Sequence, residues 1–138
     1  MAKNKMGLLF EGFEDVIKKL NDLGANTKEI TEKALKASHE YVTPQLHTHM
    51  AKHRQTGDTE RSISETANVT WKGSVAEVDI GFQIRKGGLP SIFLMYGTPK
   101  MKKDTKLYNA VYGKTTQKKI AQIQEEIFYD AVQKAMEG

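Results

Sequence analysis

The chain has 138 residues, 21 lysines and arginines against 17 acids for a net charge of +4, and no cysteine. One domain is expected at this length, with enough buried surface to fold without covalent staples. The missing cysteine excludes a disulfide scaffold, cysteine-ligated zinc, iron–sulfur chemistry and a thiol nucleophile. The longest apolar run, Ile92 to Tyr96, is far below the roughly 20 residues of a membrane span, so no membrane partner is expected. Leu8-Leu9-Phe10 is too short for a signal-peptide core and is followed by Glu11. The chain is therefore expected to stay in the compartment where it is made.

In chain order, residues 1–7 are expected to be a flexible lead-in. Phe10, Phe13, Ile17, Leu20 and Leu23 recur at helical spacing, and Gly24 is placed to cap that helix. Asn26 with Glu29 three residues on is a capping-box start for a second helix. Its stripe runs through Ile30, Ala34, Ala37, Tyr41 and Val42, and extends to Leu46 and Met50 if the helix continues. Pro44 lacks a backbone donor, so the spacing predicts a long helix that bends or ends near Thr43.

The period then changes from 3.6 to 2. Ile63, Ala67, Val69 and Trp71 alternate with polar residues, Lys72-Gly73 makes a tight turn, and Ala76, Val78, Ile80, Phe82 and Ile84 resume the alternation. This predicts an antiparallel hairpin with one wet face. Lys86 to Pro90 has loop composition; Ile92 to Met95 is a buried strand or a short buried helical turn. Residues 85–91 and 97–118 are expected to be loop-rich, with a short helix around Leu107 to Val111 broken at Gly113. A final amphipathic helix begins near Thr116 and carries Ile120, Ile123, Ile127, Phe128, Ala131, Val132 and Ala135. The fold class is α+β: a long N-terminal helical region, a sheet based on the hairpin, and the C-terminal helix packed on it, all in one domain over residues 1–138.

The charge is unevenly spread. Residues 99–119 hold seven lysines, Lys100, Lys102, Lys103, Lys106, Lys114, Lys118 and Lys119, against Asp104 alone, while residues 120–138 hold one lysine against four acids. A solvated loop, contact with a phosphate backbone, and contact with an acidic patch on a neighbouring subunit all fit such a segment. Tyr96, Tyr108 and Tyr112 interleave with it; aromatic faces can stack bases or pack in a core or interface.

Enzyme motifs are absent. Gly113-Lys114-Thr115 resembles the tail of a phosphate-binding loop, but Tyr108 stands where the first glycine is required. Four histidines, His39, His47, His49 and His53, cluster in sequence, and His49 and His53 share a helical face. Catalytic zinc would want a glutamate beside the first of them, where Met50 stands instead. No catalytic, cofactor-binding or metal residue is assigned, and a polar helix face is the expected use of the histidines. A histidine-based hydrolase or toxin would have to rest on His47, His49 and His53 alone.

Two phrases carry a family resemblance. Thr56-Gly57-Asp58-Thr59-Glu60-Arg61-Ser62-Ile63 is similar to a Thr-Gly-x-Leu-x-x-Ser-Ile phrase between a long helix and a first strand. Phe93-Leu94-Met95-Tyr96-Gly97-Thr98 is similar to an apolar run closing in Glu-aromatic-Gly-Thr. With Leu107-Tyr108-Asn109-Ala110 leading to the last helix, the chain resembles the head–tail joining, or tail-completion, proteins of long-tailed double-stranded-DNA bacteriophages and prophages. Thr59 stands in place of the leucine, Met95 in place of the glutamate, and the proline expected before Thr56 is missing.

The resemblance implies a structural virion protein of the neck, without catalysis or cofactor, made in the host cytoplasm. It implies a homo-oligomeric ring, commonly of six subunits, between the tail-tube or tail-terminator protein and the head connector, with DNA passing through its lumen. Thr56, Gly57, Ser62, Ile63, Gly97 and Thr98 are its turn residues; Lys100, Lys102, Lys103 and Lys106 are candidate contacts to DNA or a neighbouring subunit. The alternative is a small basic nucleic-acid-binding module.

Overall fold

The computed structural model describes residues 4–53, 57–73, 75–82, 90–96, 99 and 102–137. Its secondary structure is a three-stranded antiparallel sheet with helices packed against it, an α+β architecture. Strand β1 is Asn4–Met6, followed by helices α1, Phe13–Asp22, and α2, Thr27–Met50. One turn of 3-10 helix, Ala51–His53, leads towards the short helix α3, Asp58–Arg61. Strands β2, Val69–Lys72, and β3, Val75–Ile80, form the hairpin, followed by α4, Pro90–Tyr96, α5, Thr105–Tyr112, and α6, Lys114–Glu137.

The caps form where the sequence places them. The Gly24 and Ala25 amides donate to the Asn21 and Leu20 carbonyls, the paired closure of a Schellman end. Asn26 caps α2 by accepting from the Glu29 amide at 3.2 Å. Pro44 does not end α2, which runs unbroken to Met50. Pro44 is exposed, and the Glu40 carbonyl it leaves without a helical donor belongs to an exposed residue, where water can serve. Leu46 and Met50, both buried, hold the following turns in the core. Tertiary packing outweighs the local cost of the proline.

The expectation of a flexible start fails at residues 4–6. Sheet order is β1-β3-β2, with Met6 opposite Val78 and Lys5 opposite Asp79. Three residues are too few to show a period, so this strand exists only because β3 offers an edge to it. Within the hairpin, pairing is narrower than the alternation suggests: Ile63 makes a lone bridge to Phe82, and regular pairing begins at Val69. Between them the chain leaves the ladder, held by the Ser64 amide on the Gly81 carbonyl and the Asp79 amide on the Asn68 carbonyl. Gly73, at φ 63°, supplies the left-handed turn residue. The predicted facing of Ala76, Val78, Ile80 and Phe82 is correct: all four are buried. Ile84 lies outside the described residues.

The open choice for Ile92 to Met95 resolves as helix, α4. The 97–118 stretch is more ordered than a loop-rich reading implies, since α5 occupies 105–112 and α6 begins at Lys114.

Two apolar clusters result. The first joins Leu35, Val42, Leu46 and Met50 of α2 to Val78 and Ile80 of β3, with Met95, Leu107, Val111 and Ile120. The second gathers Phe10, Leu20, Ala34 and Phe128, flanked by partly buried residues of α1, α2 and the C-terminal half of α6. Gln124, fully buried, links these layers. Its Oε1 accepts from the Leu9 amide at 2.7 Å, and its Nε2 donates to the Gly7 carbonyl at 3.1 Å and to Ser38 Oγ at 2.9 Å. Ser38 Oγ in turn donates to the Ala34 carbonyl. A polar side chain in a dry interior is tolerated when it is satisfied in this way.

Candidate functional site

The basic segment and the tyrosines meet at the corner formed by α4, α5 and the start of α6. Asp104 builds it. Its amide donates to the Leu94 carbonyl of α4 at 2.6 Å, and its Oδ1 caps α5 by accepting from the Leu107 amide at 3.1 Å. Its Oδ2 accepts from His53 Nε2 at 2.7 Å, tying the end of the long helical passage to the start of α5. The single acid of the basic segment is therefore structural.

Leu107, Ala110 and Val111 bury the inner face of α5. Lys102, Lys103 and Lys106 stand exposed around its N-terminus, where cations oppose the helix dipole. Lys103 Nζ lies 4.2 Å from the ring centroid of Tyr108, a cation–π contact that offsets part of that penalty. Tyr108 packs edge-on against Tyr96 at 5.8 Å and tilted against Tyr112 at 5.0 Å, and Tyr96 Oη donates to Tyr112 Oη at 3.4 Å. Burial, then the bond to Tyr96, pushes the Tyr112 hydroxyl above the ordinary tyrosine range. These rings are packed together, and Tyr96, about half exposed, offers the most face to a partner.

Gly113 joins α5 to α6. A Cβ there would lie 2.7 Å from the Asn109 carbonyl oxygen and 2.9 Å from its Cβ, so the glycine is required by close approach. Thr116 Oγ1 closes the same junction on the Asn109 carbonyl at 2.8 Å. Gly113 thus sits between two helices, and no strand-to-helix phosphate cradle forms around Lys114 and Thr115.

Of the turn residues singled out from sequence, Gly57 has φ 82°, a left-handed geometry that favours glycine. Ser62 Oγ donates to the Thr59 carbonyl at 2.6 Å, and Ile63 is buried opposite Phe82. Met95 is buried, which suits an apolar residue where the resembling phrase carries glutamate. Thr56, Gly97, Thr98 and Lys100 lie outside the described residues.

The histidines do not form one polar face. His39 is buried and its Nε2 donates to the Ser64 carbonyl at 2.7 Å; His53 serves Asp104. His47 lies between two acids, with Nδ1 3.0 Å from Glu60 and Nε2 bonded to Glu65. Burial lowers its pKa, but the bonds to Glu60 and Glu65 and their charges more than offset this, and the net shift is upward. Among the described residues no group of three metal-ligating side chains could hold an ion.

Sequence reasoning missed Gln124, the His47 carboxylate pair and the Trp71 contacts, in which Nε1 donates to Glu32 at 3.2 Å with Lys28 Nζ 5.6 Å from the ring centroid. Only Gln124 left a signal, as the polar residue in the buried i, i+4 row Ile120, Gln124, Phe128. Comparisons with known protein families, with curated proteins and with solved structures found no match.

Proposed function

We propose that this chain is a structural virion protein of a long-tailed bacteriophage or prophage, one that completes the head-proximal end of the tail and helps join it to the DNA-filled capsid. It acts by forming a ring, with its neighbours in the neck as partners and without catalysis. The observation that carries this reading is the Gly57–Ile63 passage. The phrase that resembles the family is built of residues with separate physical duties: a left-handed glycine, a serine that closes the turn, and an isoleucine seated in the core. The lysine-rich corner supports it further, as a surface suited to DNA in a lumen or to an acidic neighbouring subunit.

Negative-stain microscopy with mass-resolved sizing across a concentration range tests the proposal. Rings with a central hole are expected. Absence of rings at every concentration counts against it.

A nucleic-acid-binding module is the second reading, favoured by Tyr96, Tyr108 and Lys103 lying together. Replacing Lys100, Lys102, Lys103 and Lys106 with serine separates the two readings. Loss of duplex binding whose affinity falls steeply with salt, in a chain that forms no rings, supports the module. Loss of ring formation supports the virion protein. If neither changes, the segment only keeps the protein soluble.

A further inference from the structure

The charge along α6 runs against the helix's own dipole. Its first turns carry Lys114, Lys118 and Lys119, all exposed, while its second half carries Glu125, Glu126, Asp130 and Glu137 against Lys134 alone. Lys134 is already paired with Asp130 at 3.1 Å. Among the described residues, Glu125, Glu126 and Glu137 have no cationic partner. Cations are disfavoured at a helix N-terminus and anions at its C-terminus, so this order gains nothing within the chain.

The acidic half of α6 also exposes apolar surface. Glu126, Tyr129, Met136 and Glu137 are all exposed and lie on the outer side of the helix, away from the buried row Ile120, Gln124 and Phe128. Tyr129 is 57% and Met136 64% exposed. At the other end of the helix stands the opposite combination, the α4–α5 corner with Lys102, Lys106 and a half-exposed Tyr96.

We propose that the acidic outer face of the C-terminal half of α6 receives the lysine- and tyrosine-bearing α4–α5 corner of a second copy of this chain, head to tail. The two patches are complementary in charge, and each offers an aromatic ring. Fifteen residues of helix separate Lys114 from Tyr129, about 22 Å at the α-helical rise, so the patches of one chain cannot satisfy each other. A contact between two different patches repeats from subunit to subunit and closes into a ring when the rotation permits. The inference rests on the self-assembly proposed above and names its surfaces.

Charge exchange tests it, on the full chain by sedimentation velocity at about 50 mM and about 300 mM salt, where screening differs strongly. One variant carries Lys102→Glu and Lys106→Glu; the other carries Glu126→Lys and Glu137→Lys. Circular dichroism checks that both fold. Each variant alone should associate at least about tenfold more weakly than the parent, and an equimolar mixture should recover the parent's association at low salt. If the parent associates and neither reversal weakens it, the inference is overturned while the ring reading stands, through other surfaces. Dependence on the glutamates but not the lysines also overturns it, since α6 would then meet a different surface. A parent chain monomeric throughout overturns the inference and the ring together.

Discussion

Replacing Gln124 with leucine removes the polar link between the N-terminal segment, α2 and α6 while keeping a side chain of similar size. The cavity contribution is therefore small, and the loss is that of the hydrogen bonds. Three are broken: from the Leu9 amide, to the Gly7 carbonyl and to Ser38 Oγ. Ser38 keeps its bond to the Ala34 carbonyl, so its penalty is minor. The Leu9 amide and the Gly7 carbonyl lose the side chain that held both; they are only partly buried, so water can reach them and each costs about 1 kcal/mol, the low end for an unsatisfied group. A destabilisation of about 2 kcal/mol is expected. With an unfolding entropy of about 2.1 cal/mol/K per residue, it lowers the Tm of a chain this long by about 7 °C. Thermal unfolding followed by circular dichroism measures the total, and amide hydrogen exchange locates it. Exchange should quicken first at residues 4–9, because β1 is a three-residue edge strand anchored just beyond its end by Gln124. A Tm drop below about 3 °C with unchanged exchange at Leu9 would refute the claim that this side chain holds the segment.

Gly113→Ala should destabilise by about 1–3 kcal/mol through the collision of its Cβ with the Asn109 backbone, as overpacking does, and the shift in Tm reads it. His47 has a folded-state pKa above its ordinary value, so the stability it contributes is fully present below about pH 6.5 and lost as pH rises through the folded pKa. The stability of the parent against unfolding should fall from mildly acidic to mildly alkaline pH more than that of His47→Gln, and NMR titration of the imidazole should give a midpoint above about 6.5; a lower midpoint refutes the Glu60–His47–Glu65 arrangement. Trp71 is the sole tryptophan, so its emission reports on one place. Glu32→Ala should alter that emission and cost about 0.5–1.5 kcal/mol, the range of a single hydrogen bond, without changing association.

Regular periods survive in the sequence because they arise from one element meeting one environment. The apolar stripes of α1, α2 and α6, the Asn26 cap and the inward face of β3 were legible for that reason. Gly24 and Gly73 were legible because few residues accept the turns they make. Of the candidate site, the lysines and tyrosines of residues 96–119 could be named from charge and composition. Their meeting at one corner could not, because it depends on Asp104 bonding to α4, α5 and His53 at once.

What only the tertiary structure decided has a common cause: each case is a contact between segments distant in the chain. Asn4–Met6 is a strand because β3 has a free edge. Pro44 stays inside α2 because Leu46 and Met50 are buried beyond it. Ile92 to Met95 is apolar enough for strand or helix, and packing beside α5 makes it helix. Gln124 looks like a flaw in an apolar row until the Leu9 amide, the Gly7 carbonyl and Ser38 arrive around it. Local physics sets what each segment can become; the partners that remove it from water select which of those it is.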